Sequence, residues 1–272
     1  MRKDDYLSSQ DVRNFIAWME KTTLDIPKGF VHRYIHVKEK KWYEFDNLFD
    51  AYKKYHWPCL NSIDIDQLSD DLRKSIEEAD EHSCAETCEK ILKWGGVWNQ
   101  TNKKHISKLK PNFCSYLLKV RKILKSDKHS SEYYSTEMSI TITSGFSKIY
   151  SALIDDYMIY DSRVAAALCF LVRSFCEQTK LPAVPEELKF ALSVARPLKN
   201  YPNRRNPSNN KYQFPNINSN PQRYLENNVR ANWLMSAVAK TTKSNFAGVA
   251  KPLRLRALEK ALFMIGYDVS GD

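Results

Sequence analysis

Ile142-Thr143-Ser144-Gly145-Phe146-Ser147-Lys148 opens the stretch that decides how this chain folds, and Tyr157-Met158-Ile159-Tyr160-Asp161-Ser162-Arg163-Val164 closes it. Thr143 and Ser144 ahead of Gly145 are turn-forming residues, and the apolar positions after Phe146 carry helical spacing. Such a turn exposes the first backbone N–H groups of the following helix and creates a site suited to an anion. Lys148 falls about one turn into that helix. The apolar run 157–160 then leads to Asp161, a carboxylate placed to cap the helix that follows and to be fixed in direction by its N–H groups. One amine and one carboxylate therefore stand near two successive helix starts, thirteen residues apart.

Working outward, the rest of the chain also reads mainly as helix. Val12, Phe15, Ile16 and Met19 form an apolar stripe over 10–21, and 45–55 returns to helical spacing through Leu48, Tyr52 and Tyr55 before Pro58. Further helices are predicted over 65–79, 84–94, 111–126, 146–155, 161–179, 185–195, 222–241 and 253–266. Phe30 to Val37 alternates apolar and polar residues, as an extended arm or strand does. Residues 201–221, rich in Asn and Pro, are predicted to be a long irregular loop. The fold class expected is mainly α, with a small β segment near the N-terminus.

The net charge of +10 over 272 residues is concentrated in two blocks. Residues 101–130 hold nine Lys or Arg against one Asp, and 201–260 hold eleven against two Glu. Concentrated cations suit a polyanion, because each neutralised phosphate releases counterions; a solvated basic face is the plainer alternative. The first block suggests dividing the chain into 1–130, mostly helical, and 131–272, carrying the Lys–Asp pair, the Asn- and Arg-rich loop and the last helices. No apolar run approaches a bilayer span, and the first residues lack a signal-peptide core, so a cytoplasmic protein with no membrane partner is expected. There is no glycine-rich nucleotide loop, and no cofactor is implied.

The segment around Lys148 and Asp161 resembles the helix-hairpin-helix DNA glycosylases, most closely their 8-oxoguanine branch. In that family a hairpin of the form Gly-x-Gly-x-Lys leads through an apolar link to an aspartate at a helix start. Here Ser144 and Phe146 occupy the glycine positions, with Gly145 between them. The resemblance implies a helix-hairpin-helix glycosylase-like fold, double-stranded DNA with a modified base as partner, and a flipped-out target nucleotide. It implies that Lys148 and Asp161 are catalytic. The amine would attack the sugar and displace the base, the carboxylate would stabilise charge developing on the sugar, and the resulting imine would permit cleavage at the abasic site. Bacterial proteins of this appearance often accompany anti-phage systems, so protein partners in a defence assembly and a modified phage base are also implied. A non-catalytic helical nucleic-acid-binding module is the alternative.

Further candidates follow from residue chemistry. Thr143, Ser144 and Gly145 would meet a phosphate through the helix start, and Arg204, Arg205 and Arg230 would add cations from the loop and the helix after it. Phe146, Trp94, Gly95 and Trp233 are candidates to line a base pocket. Trp94-Gly95-Gly96-Val97-Trp98 is more simply read as a helix-ending glycine turn between core tryptophans. The Arg204, Arg205 and Arg230 group, with its neighbouring asparagines, reads equally as a network fastening the loop. His82-x-Cys84-x₃-Cys88 lacks a second ligand pair at metal spacing, so no metal is expected. Cys169 and Cys176 read as reduced core residues.

Overall fold

The structure, a computed structural model, describes residues 1–57, 64–129, 139–193, 204–217, 220–241 and 244–270. They are mainly helical, with one two-stranded antiparallel sheet. Two compact units emerge, and both are discontinuous in sequence. The first holds Met1–Arg2 and Trp57–Ile159; the second holds Lys3–His56 and Tyr160–Asp272. The expected boundary at 130 therefore falls inside the first unit, and the quoted stretch is divided between Ile159 and Tyr160.

The first unit contains α4 (Ile65–Glu77), α5 (Glu81–Trp94), α6 (Gln100–Leu109), α7 (Phe113–Leu124) and α8 (Ser144–Leu153). Side-chain caps set most of their starts. Asp64 accepts from Asp66 N, Asp80 from Ser83 N and Asn99 from Asn102 N, each satisfying a donor the helix leaves open. Helix α7 borrows its cap from α5: Glu81 Oε2 accepts from Phe113 N at 2.5 Å and Cys114 N at 2.9 Å. The core lies where α4, α5, α7 and α8 pack together, through Leu72, Ile91, Phe113, Leu117, Phe146 and Ile149, all fully buried. Burying each such side chain contributes about 1.5–3 kcal/mol.

The second unit contains α1 (Lys3–Ser8), α2 (Gln10–Trp18), β1 (His32–His36), β2 (Lys41–Phe45), α3 (Leu48–Lys53), α9 (Ser162–Gln178), α10 (Pro221–Ala239) and α11 (Arg254–Ile265). Every residue from Val164 to Arg173 in α9 is buried, so this helix is apolar on all sides and forms the unit's centre. Strands β1 and β2 pair from His32↔Phe45 to His36↔Lys41. Tyr34 of β1 stacks on Tyr43 and Tyr267 and donates to Met264 O at 2.9 Å, tying the hairpin to the end of α11. The Asn- and Pro-rich loop, described over 204–217, is irregular but anchored. Arg173 Nη1 donates to Pro207 O at 3.0 Å, and the Tyr212 hydroxyl reaches the Leu181 carbonyl at 2.8 Å.

Three expectations are corrected. Of the helix expected over 185–195, the described residues 185–193 do not form an α-helix; only the short turn Glu186–Leu188 is helical, Leu192 bridges Asn216, and 194–195 lie outside the described residues. The side chains of Asn227 and Tyr160 bind Ala191 N and Ala191 O, taking the groups an α-helix would have used. Phe45 ends β2, and helix α3 starts only at Leu48, behind the Asn47 cap. Gly145 does not form a hairpin loop: Thr143 is extended, and Gly145 already lies in the first turn of α8.

Candidate functional site

In the first unit, Thr143 is the junction on which the Lys148 neighbourhood is built. Its Oγ1 accepts from Phe146 N at 3.1 Å, capping α8, and donates to Asn102 Oδ1 at 3.0 Å. Asn102, 2% exposed, in turn donates Nδ2 to Val97 O at 2.8 Å. One buried amide therefore links the turn after α5, the start of α6 and the start of α8. Gly145 is required by this packing and not by backbone conformation. A Cβ there would overlap Asn102 Nδ2 and stand 2.7 Å from Leu92 Cδ2.

Lys148 is only 6% exposed. Its stem runs against Gly95, where a Cβ would lie 2.7 Å from Lys148 Cε, and its Nζ donates to Ser144 O at 3.3 Å. The adjacent Trp94 carbonyl accepts from Trp57 Nε1 at 3.1 Å. Ser144, half-buried, supplies the carbonyl that meets the amine. Phe146 is fully buried, with edge contacts to Tyr150 and His105, and so belongs to the core. In the same unit a cavity of about 400 Å³ opens beside Trp98, lined also by Ala85, Glu86, Glu89, Lys103, Ile106, Ser107 and Lys110. The ammonium groups of Lys93 and Lys103 lie over the Trp98 ring at 6.0 and 5.4 Å.

In the second unit, Asp161 is an N-cap with extended backbone. Its Oδ1 accepts from Arg163 N at 2.9 Å and Val164 N at 3.2 Å, directing the carboxylate at the start of α9. Arg163 lies over Phe263 at 4.1 Å and Tyr267 at 5.0 Å, and Arg204 lies over Tyr267 at 5.2 Å. Arg205 donates to Ser162 Oγ. Burial lowers the pKa of Arg163 and pulls that of Arg205 down to about 10. The Arg163 charge adds to the effect on Arg205, while the Asp161 carboxylate opposes it for both. The Nε atoms of Arg204 and Arg205 are buried without a hydrogen-bond partner among the described residues. Three guanidinium groups are thus gathered near one carboxylate, at a helix N-terminus that itself favours negative charge. Gly266 permits the arrangement, since a Cβ there would overlap the Arg163 carbonyl, so α9 begins directly against the end of α11.

Arg230 and Trp233 lie elsewhere in that unit. Arg230 donates to Glu186 O at 3.1 Å and Lys189 O at 3.3 Å, so it fastens the turn after α9. Trp233 is 5% exposed and packs beside Tyr6 in the core. His82 pairs with Glu86 on the surface, while Cys84 and Cys88 are buried. Among the described residues no three ligand-type side chains are gathered for a metal, and Cys59 lies outside those residues. Burial raises the Cys169 thiol and pushes Cys176 up to about 11, so both are protonated core groups. No helix among the described residues is long and apolar enough to cross a membrane.

Sequence reading singled out neither Asn102 nor Arg163. Arg163 stood inside the quoted stretch, next to Asp161, and that adjacency was the available signal. Asn102 sits in a polar helix and is marked only by its place after the Trp94–Trp98 turn. Compared with protein-family models, curated proteins and solved structures, the chain matches none.

Proposed function

We propose that this chain is a DNA glycosylase of the helix-hairpin-helix kind that excises an oxidised or otherwise modified base, with abasic-site lyase activity through a lysine imine. The observation that carries the reading is the state of the amine. Lys148 is a buried lysine whose stem lies along a glycine and whose amine turns to a helix-start carbonyl, unlike the solvated lysines common on helices. Asp161, thirteen residues on, is fixed by two backbone N–H groups, as a carboxylate that acts as a charge needs to be.

The chemistry follows from these two groups. The Lys148 nitrogen forms a bond to the sugar C1′, and the bond from C1′ to the base breaks with its electron pair leaving on the base, which takes up a proton. Asp161 stabilises the positive charge that develops on the sugar. The attached nitrogen loses a proton and its lone pair forms the imine double bond as the C1′–O4′ bond breaks and O4′ takes up a proton. Removal of a C2′ proton then expels the 3′ phosphate and breaks the strand. Arg204 and Arg205 supply cations for backbone phosphates. The test is base release from duplexes carrying 8-oxoguanine and a panel of other modified bases. Wild type is expected to leave an abasic site in at least one duplex, and Lys148→Gln to leave none while still binding it.

A second reading, a non-catalytic nucleic-acid-binding module of a defence or repair assembly, is favoured by one observation. Gly145 sits inside the first turn of α8, where the resembled family has a hairpin. It predicts salt-sensitive binding, no base release from any duplex, and indifference to Lys148→Gln.

A further inference from the structure

Positive charge in the first unit is segregated by element. On α4 and α5 cations alternate with carboxylates and most are paired, Arg73 with Asp70 and Asp155, Lys74 with Glu78 and Lys93 with Glu89, leaving exposed Lys90 without an ion pair among the described residues. Helices α6 and α7, by contrast, contain no Asp or Glu at all. On α6 and α7 the arrangement is different. Lys104 and Lys108 are exposed one turn apart on α6. On α7 Lys122 is exposed, and Lys125 continues the same helical face from the helix end. No ion pair is formed by any of these four among the described residues. The two helices pack against each other and against α5, so these exposed lysines stand on neighbouring elements of one core.

Like charges gathered without counter-charges repel one another, and an external polyanion removes that repulsion. We infer that the outward face of α6 and α7 is a docking surface for the phosphate backbone of duplex DNA, holding undamaged sequence independently of the excision residues. The choice of DNA as the polyanion rests on the glycosylase reading; the surface itself rests on the charge segregation. An anionic membrane fits less well. Leu118, 47% exposed, is the one large hydrophobic side chain α6 and α7 expose, and interfacial helices need a broad apolar face to insert.

The experiment compares wild type with a variant carrying Lys104→Gln, Lys108→Gln, Lys122→Gln and Lys125→Gln, using an unmodified duplex at graded salt. Each phosphate contact contributes about −0.9 to the slope of log K against log salt, so the variant slope should be shallower by about 3–4 and its affinity at low salt roughly 10- to 100-fold weaker. Base release from a modified duplex at saturating enzyme should stay within about twofold of wild type, a result expected of a surface that only holds backbone. An unchanged slope overturns the inference, as does unchanged duplex binding with lost binding to phosphatidylserine vesicles. A shallower slope in a protein that releases no base from any duplex supports the docking surface and removes the glycosylase reading alone.

Discussion

The stem of Lys148 lies against the α-carbon of Gly95, so closely that a Cβ on Gly95 would stand 2.7 Å from Lys148 Cε and nearer still to Cδ. Gly95 has ordinary helical backbone angles, so the need for glycine here comes from close approach and not from conformation. Gly96 is the reverse. It has φ +65 and open space where a Cβ would go.

That contrast separates two neighbouring substitutions. Gly95→Ala should change stability by less than about 1 kcal/mol, because the lysine's flexible stem can move aside, but it should cut base release sharply by displacing the amine. Gly96→Ala should cost about 1 kcal/mol through its left-handed backbone and leave base release intact. Denaturant midpoints and single-turnover base release, measured on both variants, check the pair.

Asp161 both caps a helix and is proposed to act on the sugar, and the two roles can be divided. Asp161→Asn keeps an acceptor for Arg163 N and Val164 N, so it should cost clearly less stability than Asp161→Ala, which removes a cap worth about 0.5–2 kcal/mol. Both variants should lose base release. An Asn variant that is stable and fully active would assign Asp161 to capping alone.

Thr143 should matter through two hydrogen bonds at once. Thr143→Val removes the cap on Phe146 N and the bond to Asn102 Oδ1, and leaves a buried amide oxygen without that donor. The expected cost is about 2–3 kcal/mol, against less than about 1 kcal/mol for Thr143→Ser, which retains the hydroxyl. Thermal or urea unfolding of the two variants measures the difference.

Two histidines predict how stability responds to acid. Burial lowers the pKa of His36, with Arg163, Lys38 and Arg204 adding to the effect and Glu39 opposing it; burial and then Lys108 lower that of His105. A base whose folded pKa lies below its unfolded 6.5 binds its proton more readily when unfolded. Stability should therefore be unaffected by these groups above that value and fall as pH drops below it. His36→Gln with His105→Gln should flatten the acid side of a plot of melting temperature against pH.

Much of this architecture is legible from residue order. The apolar spacing of α4, α7, α9 and α11 and the Asp161 cap are readable because they are local patterns. Strand β2 was not, because Trp42 is 62% exposed and the alternation of Lys41-Trp42-Tyr43-Glu44 does not mark an inner face. Helix α6 was hidden because it buries an asparagine, Asn102, where a hydrophobic residue would have signalled the face. The stretch 185–195 misled because its apolar residues suit a helix, while distant Asn227 and Tyr160 capture the backbone of Ala191. Residue chemistry was readable at Lys148 in the first unit and, separately, at Asp161, Arg204 and Arg205 in the second. The close approaches at Gly95, Gly145 and Gly266 depend on partners far along the chain, which spacing alone does not reveal.

The central claim concerns a lysine amine that bonds to a sugar, and borohydride trapping tests it most directly. Wild-type protein, incubated with duplexes carrying modified bases and then reduced, should give a covalent protein–DNA band with at least one duplex. Lys148→Gln should give none with that duplex while still binding it. No adduct from wild type with any duplex, or an adduct that persists in Lys148→Gln, would contradict the account.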